Sequence, residues 1–191
     1  MKTESEMKLD PPQPRAVAGL RTGQRIKFEK TVTINRHPSE VYTFWRQLEN
    51  LPLFMSHLAV ITVTGDNITH WVAQTDQGKT IEWDAGVIED KPEELICWES
   101  LPGAEVQNAG CVRFTPAPGQ RGTVVRLTWS YVPGGGKFGA RLATVMNKRL
   151  AAEIAQNLFN LRSLLETGEI PTVEGQPHGG KSKNEHEPAL A

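Results

Sequence analysis

The side chains that could transfer protons are few in this sequence, and they lie far apart. His37 precedes the first predicted helix and His57 follows the second, and an imidazole titrates near enough to neutral pH to act as a general acid or base. A helix cap or a surface position explains either histidine more simply, and we favour that interpretation.

Charged residues on the predicted strands are a second source of acid–base chemistry: Glu82, Asp84, Glu99, Arg113 and Arg126. Successive residues of a strand point to opposite faces of a sheet, and all five have the parity opposite to the aromatic residues. We therefore expect them on a solvated outer face. No residue is predicted to be catalytic.

The two cysteines, Cys97 and Cys111, are too few and too far apart for the paired ligands of a zinc site. Both fall on the face opposite the aromatic residues, and we expect both to be reduced, as in a cytoplasmic chain. His178 and His186 form a weak metal-binding pattern that a solvated tail explains better. We predict no metal and no cofactor.

The overall charge favours no polymeric partner. The chain of 191 residues carries 21 lysines and arginines against 22 aspartates and glutamates, so it has no field that would attract nucleic acid. Basic residues of the last helix are interleaved with Glu153 and Glu166.

The sequence has no apolar stretch long enough to span a bilayer and no signal peptide, so we predict a cytoplasmic protein without a transmembrane segment. Transient contact with a membrane is compatible with this composition, and the oligomeric state is left open.

The chain divides into three parts. Residues 1–23 are polar and rich in proline, which predicts a flexible arm, and residues 171–191 have almost no large apolar side chains, which predicts a disordered tail. The intervening residues 24–170 form one predicted domain.

Periodicity places the elements of this domain. Alternating apolar residues from Ile26 to Ile34 predict a strand, and the spacing of Val41, Phe44, Trp45 and Leu48 predicts a helix, followed by a helical turn within 49–58. Six further strands are predicted, separated by turns, at 59–65, 68–75, 79–88, 94–100, 109–115 and 123–131.

Apolar residues then recur every three or four positions from Phe138 to Leu165, and Gly168 provides a stop. This pattern predicts one helix of about 30 residues, roughly 45 Å long. Such a helix needs a whole sheet to cover its apolar stripe.

Strand pairing predicts where the tryptophans lie. A turn at residues 76–78 would place Trp71 opposite Trp83, Ala73 opposite Ile81 and His70 near Asp84. Carrying the pairing through the next turn would set Ile96, Trp98 and Ser100 beside Val87, Ala85 and Trp83. The aromatic residues then share one face of the sheet. By themselves such residues more often fill a core than line a cavity.

Two stretches carry a family resemblance: TVTINRHPSEVYTFWRQLENLPLFMSHL (31–58) and KTIEWDAGVIEDKPEELICWESLPGAEVQNAGCVRF (79–114). With the glycine-rich segment GTVVRLTWSYVPGGGKFG (122–139), the chain resembles the START/Bet v 1-like (SRPBCC) superfamily over residues 25–170. The similarity is to its polyketide cyclase/dehydrase branch and the related coenzyme-Q-binding START domains. The resemblance implies an α+β helix-grip fold, in which a curved antiparallel sheet of about seven strands wraps around a long C-terminal helix.

The resemblance also implies a cavity between sheet and helix, and hence a protein that binds a small hydrophobic molecule such as a lipid, quinone or polyketide. The residues expected to line it are Trp71, Trp83, Trp98, Phe114, Trp129, Tyr131, Leu142, Met146 and Leu150. Two other functions stay open. One is a cyclase/dehydrase, which needs a general acid or base at the ligand. The other is a stress-related interaction module, which an exposed apolar patch at Leu53, Phe54 and Met55 would support.

Overall fold

A computed structural model describes residues 26–74, 78, 80–104, 107–132 and 139–171, with the backbone alone for 139–149. The predicted arm and residues 172–191 of the predicted tail lie outside the described residues. The seven strands are β1 (Ile26–Ile34), β2 (Leu58–Gly65), β3 (Ile68–Gln74), β4 (Thr80–Lys91), β5 (Leu95–Ser100), β6 (Asn108–Pro116) and β7 (Thr123–Tyr131). The helices are α1 (Pro38–Arg46), a 3₁₀ helix (Leu48–Leu53), a 3₁₀ turn (Pro118–Gln120) and α2 (Gly139–Thr167).

The strands form one antiparallel sheet in the order β1-β7-β6-β5-β4-β3-β2. Strands β2 to β7 form a meander, because short turns join neighbours in the sequence. Strand β1 pairs with β7, so the first and last strands are adjacent. The helix-grip α+β fold expected from the sequence is confirmed. No helix in the described part of the chain is both long and apolar enough to cross a membrane.

The predicted register of β3 and β4 is confirmed: Trp71 faces Trp83, Ala73 faces Ile81, and His70 faces Asp84. On the outer face His70 Nδ1 lies 2.9 Å from an Asp84 carboxylate oxygen.

The predicted register of β4 and β5 is wrong by two residues. Trp98 pairs with Val87 and Ser100 with Ala85, and the register then shifts at a bulge between Val87 and Glu89. The bulge was not visible in the sequence pattern. An offset of two residues preserves the face to which each side chain points, so Trp98 still faces the interior.

The expectation of two free thiols is also wrong, because Cys97 and Cys111 form a disulfide. The two residues are direct partners across β5 and β6, with their Cα atoms 4.1 Å apart. That approach corresponds to the narrow, non-hydrogen-bonded pair of an antiparallel ladder, where side chains lie closest.

Helix α1 begins with a complete capping box. His37 Nδ1 accepts a hydrogen bond from the Ser39 backbone, and the Glu40 side chain accepts one from the His37 backbone. His37 is therefore an exposed helix cap, which agrees with the cap or surface position favoured from the sequence. The helix buries Val41 and Trp45 against the inner face of the sheet, where Trp45 contacts Phe114.

Helix α2 closes the core from the other side and packs along β1. Ile154, Leu158 and Leu161 are buried on its inner face. The helix ends as predicted at Gly168, whose backbone has φ 82° and donates a hydrogen bond to the Leu164 carbonyl.

Glu166 joins the end of α2 to the loop after β1. Its carboxylate accepts hydrogen bonds from the Asn35 backbone at 2.7 Å and from the Arg162 guanidinium at 3.1 Å. Burial raises the pKa of Glu166, but these hydrogen bonds and the charges of Arg162 and Arg36 together bring it below its ordinary value. The contact therefore stabilises the fold above the ordinary pKa of a glutamate, and the contribution is lost as the pH falls through the lowered value.

The Tyr42 hydroxyl donates a hydrogen bond to Asp90 at 2.6 Å, and Arg46 binds the other carboxylate oxygen of Asp90. These contacts connect α1 to β4. Burial, the hydrogen bond to Asp90 and the charge of Asp90 raise the pKa of Tyr42 to about 12, although Arg46 opposes the shift. Burial also raises the pKa of Tyr131, the second of the two tyrosines.

We expect an alkaline titration of tyrosinate absorbance to show one ionisation near pH 12, well above the ordinary value of 10.0. Asp90→Asn should move that ionisation down, and Tyr42→Phe should remove it. Because the pKa is raised in the folded state, the stabilisation is complete below the unfolded value and is lost as the pH rises toward the folded value. A wild-type titration with both tyrosines at the ordinary value would contradict this interpretation.

Candidate functional site

A pocket of about 210 Å³ lies between the inner face of the sheet and helix α2. The residues that line it are Leu51, Met55, His57, Leu58, Trp71, Ala73, Gln74, Ile81, Trp83, Trp98, Asn108, Leu127, Trp129, Ile154 and Asn157. Its surface is mostly apolar, and none of the described lining residues is Asp, Glu, Lys or Arg. Ligand-binding sites characteristically combine an apolar lining with a few polar groups that orient the ligand.

Three indole rings form one wall of the pocket. The Trp71 ring stacks between Trp83, with centroids 5.7 Å apart, and Trp98, at 6.3 Å. The planes differ by only 23° and 19°, so the three rings lie nearly parallel to one another. The three indoles give this side of the pocket a large aromatic surface, which suits an apolar or aromatic molecule.

Gly110 makes room for this wall. Trp98 pairs with Gly110 across β5 and β6, and a Cβ atom at Gly110 would overlap the six-membered ring of Trp98. The absence of a side chain at Gly110 therefore lets the Trp98 indole lie against the backbone of β6.

The indole nitrogens of the wall differ in their hydrogen bonding. Trp71 Nε1 donates to Thr69 Oγ1 at 2.8 Å, and the Thr69 hydroxyl donates to the Ala85 carbonyl. Trp83 Nε1 is buried without a hydrogen-bond partner among the described residues.

Asn157 is the most unusual lining residue. It lies on the inner face of α2, is 1% exposed, and neither its amide oxygen nor its amide nitrogen has a hydrogen-bond partner among the described residues. A buried polar group left without a partner costs about 1–3 kcal/mol. An amide kept in such a place is a candidate for contact with a ligand.

His57 and Glu153 approach each other at the edge of the pocket. His57 Nδ1 lies 3.0 Å from Glu153 Oε1, at ion-pair distance but without the alignment of a hydrogen bond. Both side chains are about one-third exposed. Because His57 lines the pocket, it is the one imidazole in the described part of the chain placed to exchange a proton with a molecule bound there.

The structure brings together four of the residues proposed from the sequence to line a cavity, namely Trp71, Trp83, Trp98 and Trp129. Phe114 instead packs against Tyr42 and Trp45 beneath α1.

The other proposed lining residues lie elsewhere or are not described. Tyr131 stacks on Trp129 and Phe28, away from the pocket lining. Leu150 packs against the core without lining the pocket. The side chains of Leu142 and Met146 lie outside the described residues.

Sequence reasoning missed Asn157, although a signal was present. Asn157 lies three residues after Ile154 and four before Leu161, so it interrupts the apolar stripe of α2 on its inner face. A polar residue in such a stripe is a candidate ligand contact. No comparable signal in the sequence indicated that Leu51 of the 3₁₀ helix would line the pocket.

Solved structures with this fold include three that cover most of the chain. A protein from Deinococcus radiodurans has 31% sequence identity and a TM-score of 0.61, over 75% of this chain and 100% of that one. A protein from Thermus thermophilus has 24% identity and a TM-score of 0.62, over 72% of this chain and 95% of that one. An aromatase/cyclase from a Streptomyces species has 15% identity and a TM-score of 0.56, over 78% of this chain and 100% of that one.

A curated protein of Streptomyces lincolnensis, described as an uncharacterised 17.2 kDa protein, is 34% identical over 88 residues. The match covers 46% of this chain and 57% of that protein. The family described as polyketide cyclase/dehydrase and lipid transport matches residues 25–166. The superfamily resemblance read from the sequence is thereby confirmed, and the chain belongs to the polyketide cyclase/dehydrase and lipid transport family.

Proposed function

We propose that this protein binds a small hydrophobic molecule in the pocket between the sheet and α2. The observation that carries the proposal is the lining of that pocket, where three stacked tryptophans meet Ile154 of α2 and apolar side chains of the segment after the 3₁₀ helix. Membership of a family that includes lipid transport proteins supports it. The charged side chains Glu82 and Asp84 are exposed on the outer face, and so would not interfere with an apolar ligand.

A second function, cyclase/dehydrase catalysis, is favoured by one observation. His57 lines the pocket, and the Glu153 carboxylate lies beside it. An imidazole next to a carboxylate is an arrangement suited to general acid–base catalysis. One of the solved structures with this fold is an aromatase/cyclase. Binding is the better supported function, because the described pocket residues include no further acid–base partner for a multistep reaction.

The interaction-module hypothesis receives less support. Leu53 is 58% exposed, but Phe54 and Met55, the other two members of the expected patch, are buried in the core. A single exposed leucine is common on protein surfaces.

We expect a two-ring apolar probe such as naphthalene to bind with micromolar affinity, about −8 kcal/mol, in a calorimetric titration. Trp98→Ala should weaken binding roughly tenfold, because it removes part of the stacked wall; that factor equals about 1.4 kcal/mol. Asp84→Asn is the matched control, since Asp84 points away from the pocket, and it should leave the affinity unchanged.

Absence of binding to the wild-type protein, or equal weakening by both variants, would refute the binding function. If the wild-type protein turns over a bound substrate and His57→Ala abolishes that turnover, the catalytic function would replace the binding function.

A further inference from the structure

We propose that Asn157 is the polar anchor of the ligand, and that the ligand is a compact planar ring compound with a hydrogen-bond donor and acceptor side by side. The inference rests on the proposed binding function and narrows it to a chemical class. Lactams, protonated aromatic carboxylic acids and enolised dicarbonyl rings share this arrangement.

The amide of Asn157 determines the pairing. A side-chain amide offers N–H donors at Nδ2 and an acceptor at Oδ1, one on each side of the same carbon. Both atoms are buried at the pocket without partners among the described residues. A ligand with a donor alone or an acceptor alone would leave one of them unpaired, whereas an adjacent donor and acceptor can pair with both.

The helix fixes where this amide points. Asn157 lies between Ile154 and Leu158, which are buried on the inner face of α2, and it lines the pocket together with Ile154. Trp83, a lining residue on the sheet side, also has a buried indole N–H without a partner among the described residues. A second oxygen on the ring of the ligand would match it.

Size and shape limit the rest of the ligand. A cavity of roughly 150 Å³ accommodates one benzene ring, and the pocket here measures about 210 Å³. One ring, or two fused rings, is therefore the size that fits, and a long acyl chain is too large. The aromatic lining formed by Trp71, Trp83 and Trp98 favours an aromatic ring over a branched aliphatic molecule.

Three probes of nearly equal size separate the anchor from simple apolar binding. Carbostyril is a fused two-ring lactam, N-methylcarbostyril has its donor blocked, and naphthalene has neither donor nor acceptor. Each is titrated calorimetrically into the full-length wild-type chain, into Asn157→Leu, and into Gln156→Ala, an exposed neighbour on the same helix that does not line the pocket.

We expect the wild-type protein to bind carbostyril at least about tenfold more tightly than N-methylcarbostyril. Asn157→Leu should remove that preference while changing naphthalene affinity less than about twofold. It should also raise the thermal midpoint of the free protein, since it replaces an unpaired buried amide with an apolar side chain. Gln156→Ala should change none of these values.

Equal wild-type affinities for carbostyril and N-methylcarbostyril would overturn the inference, and that arm needs no variant to fold. So would an Asn157→Leu protein that keeps the lactam preference. In either case, continued binding of naphthalene leaves the proposed function standing. Failure of all three probes to bind the wild-type protein would overturn both.

Discussion

Leu161→Asp is expected to prevent the domain from folding stably. Leu161 is fully buried on the inner face of α2, so the change removes a leucine from the core and places a carboxylate there without a partner. We expect a loss of more than about 4 kcal/mol, a large fraction of the 5–15 kcal/mol that typically stabilises a domain. Denaturant unfolding followed by circular dichroism measures the loss.

Gln156→Asp is the matched control, because Gln156 is exposed on the same helix and should change stability by less than about 0.5 kcal/mol. Leu150→Asp should have an intermediate effect, since Leu150 is only partly buried. Similar unfolding midpoints for the variants at Leu161 and Gln156 would show that the inner face of α2 is assigned incorrectly.

Gly122→Ala is expected to cost about 3 kcal/mol or more, for two separate reasons. Gly122 has φ 90°, a conformation that residues with a side chain rarely adopt. In addition, a Cβ atom there would overlap the Ile34 carbonyl oxygen and lie 2.7 Å from Asn35 Cα. Both obstacles are backbone atoms where β1 and β7 meet, so no side chain can rotate away.

Gly103→Ala separates the two causes. Gly103 has a similar φ of 91°, but a Cβ atom there would have no described residue within 4 Å. It should therefore cost only the conformational strain, about 1 kcal/mol. If thermal unfolding gave equal losses for the two alanine variants, the close approach at Gly122 would be disproved.

The parts of the fold predicted from the sequence are those set by local pattern. The register of β3 and β4 followed from a short turn and alternation, and α2 followed from its long apolar stripe. The register of β4 and β5 did not, because β4 extends to Lys91, which pairs with Leu95, so the turn lies later in the chain than the alternation indicated. A bulge after Val87 then shifts the register by one further residue. The pairing of β1 with β7 joins distant segments, and no local signal specifies it.

The candidate site was also predicted only in part. Parity alone assigned Trp71, Trp83 and Trp98 to one face, and all three lie in the stacked wall. Parity cannot tell which inward residues surround a space and which fill a core, and Phe114 has the same inward character but packs under α1. The wall opposite the tryptophans depends on how α2 is rotated over the sheet. Sequence periodicity predicts which face of α2 is buried, but not which residues of that face reach the pocket.

The Cys97–Cys111 disulfide lies on the reverse side of the strands that carry the Trp98 wall. Trp98 and Gly110, which pack against each other, are the next pair along the ladder from the two cysteines. If β5 slid past β6 by even one pair, the Trp98 indole would no longer lie over Gly110, and a residue with a side chain would occupy the space that the indole needs. A covalent link between the neighbouring residues forbids that slide, so a bond on the outer face of the sheet keeps the residues of the inner face in register.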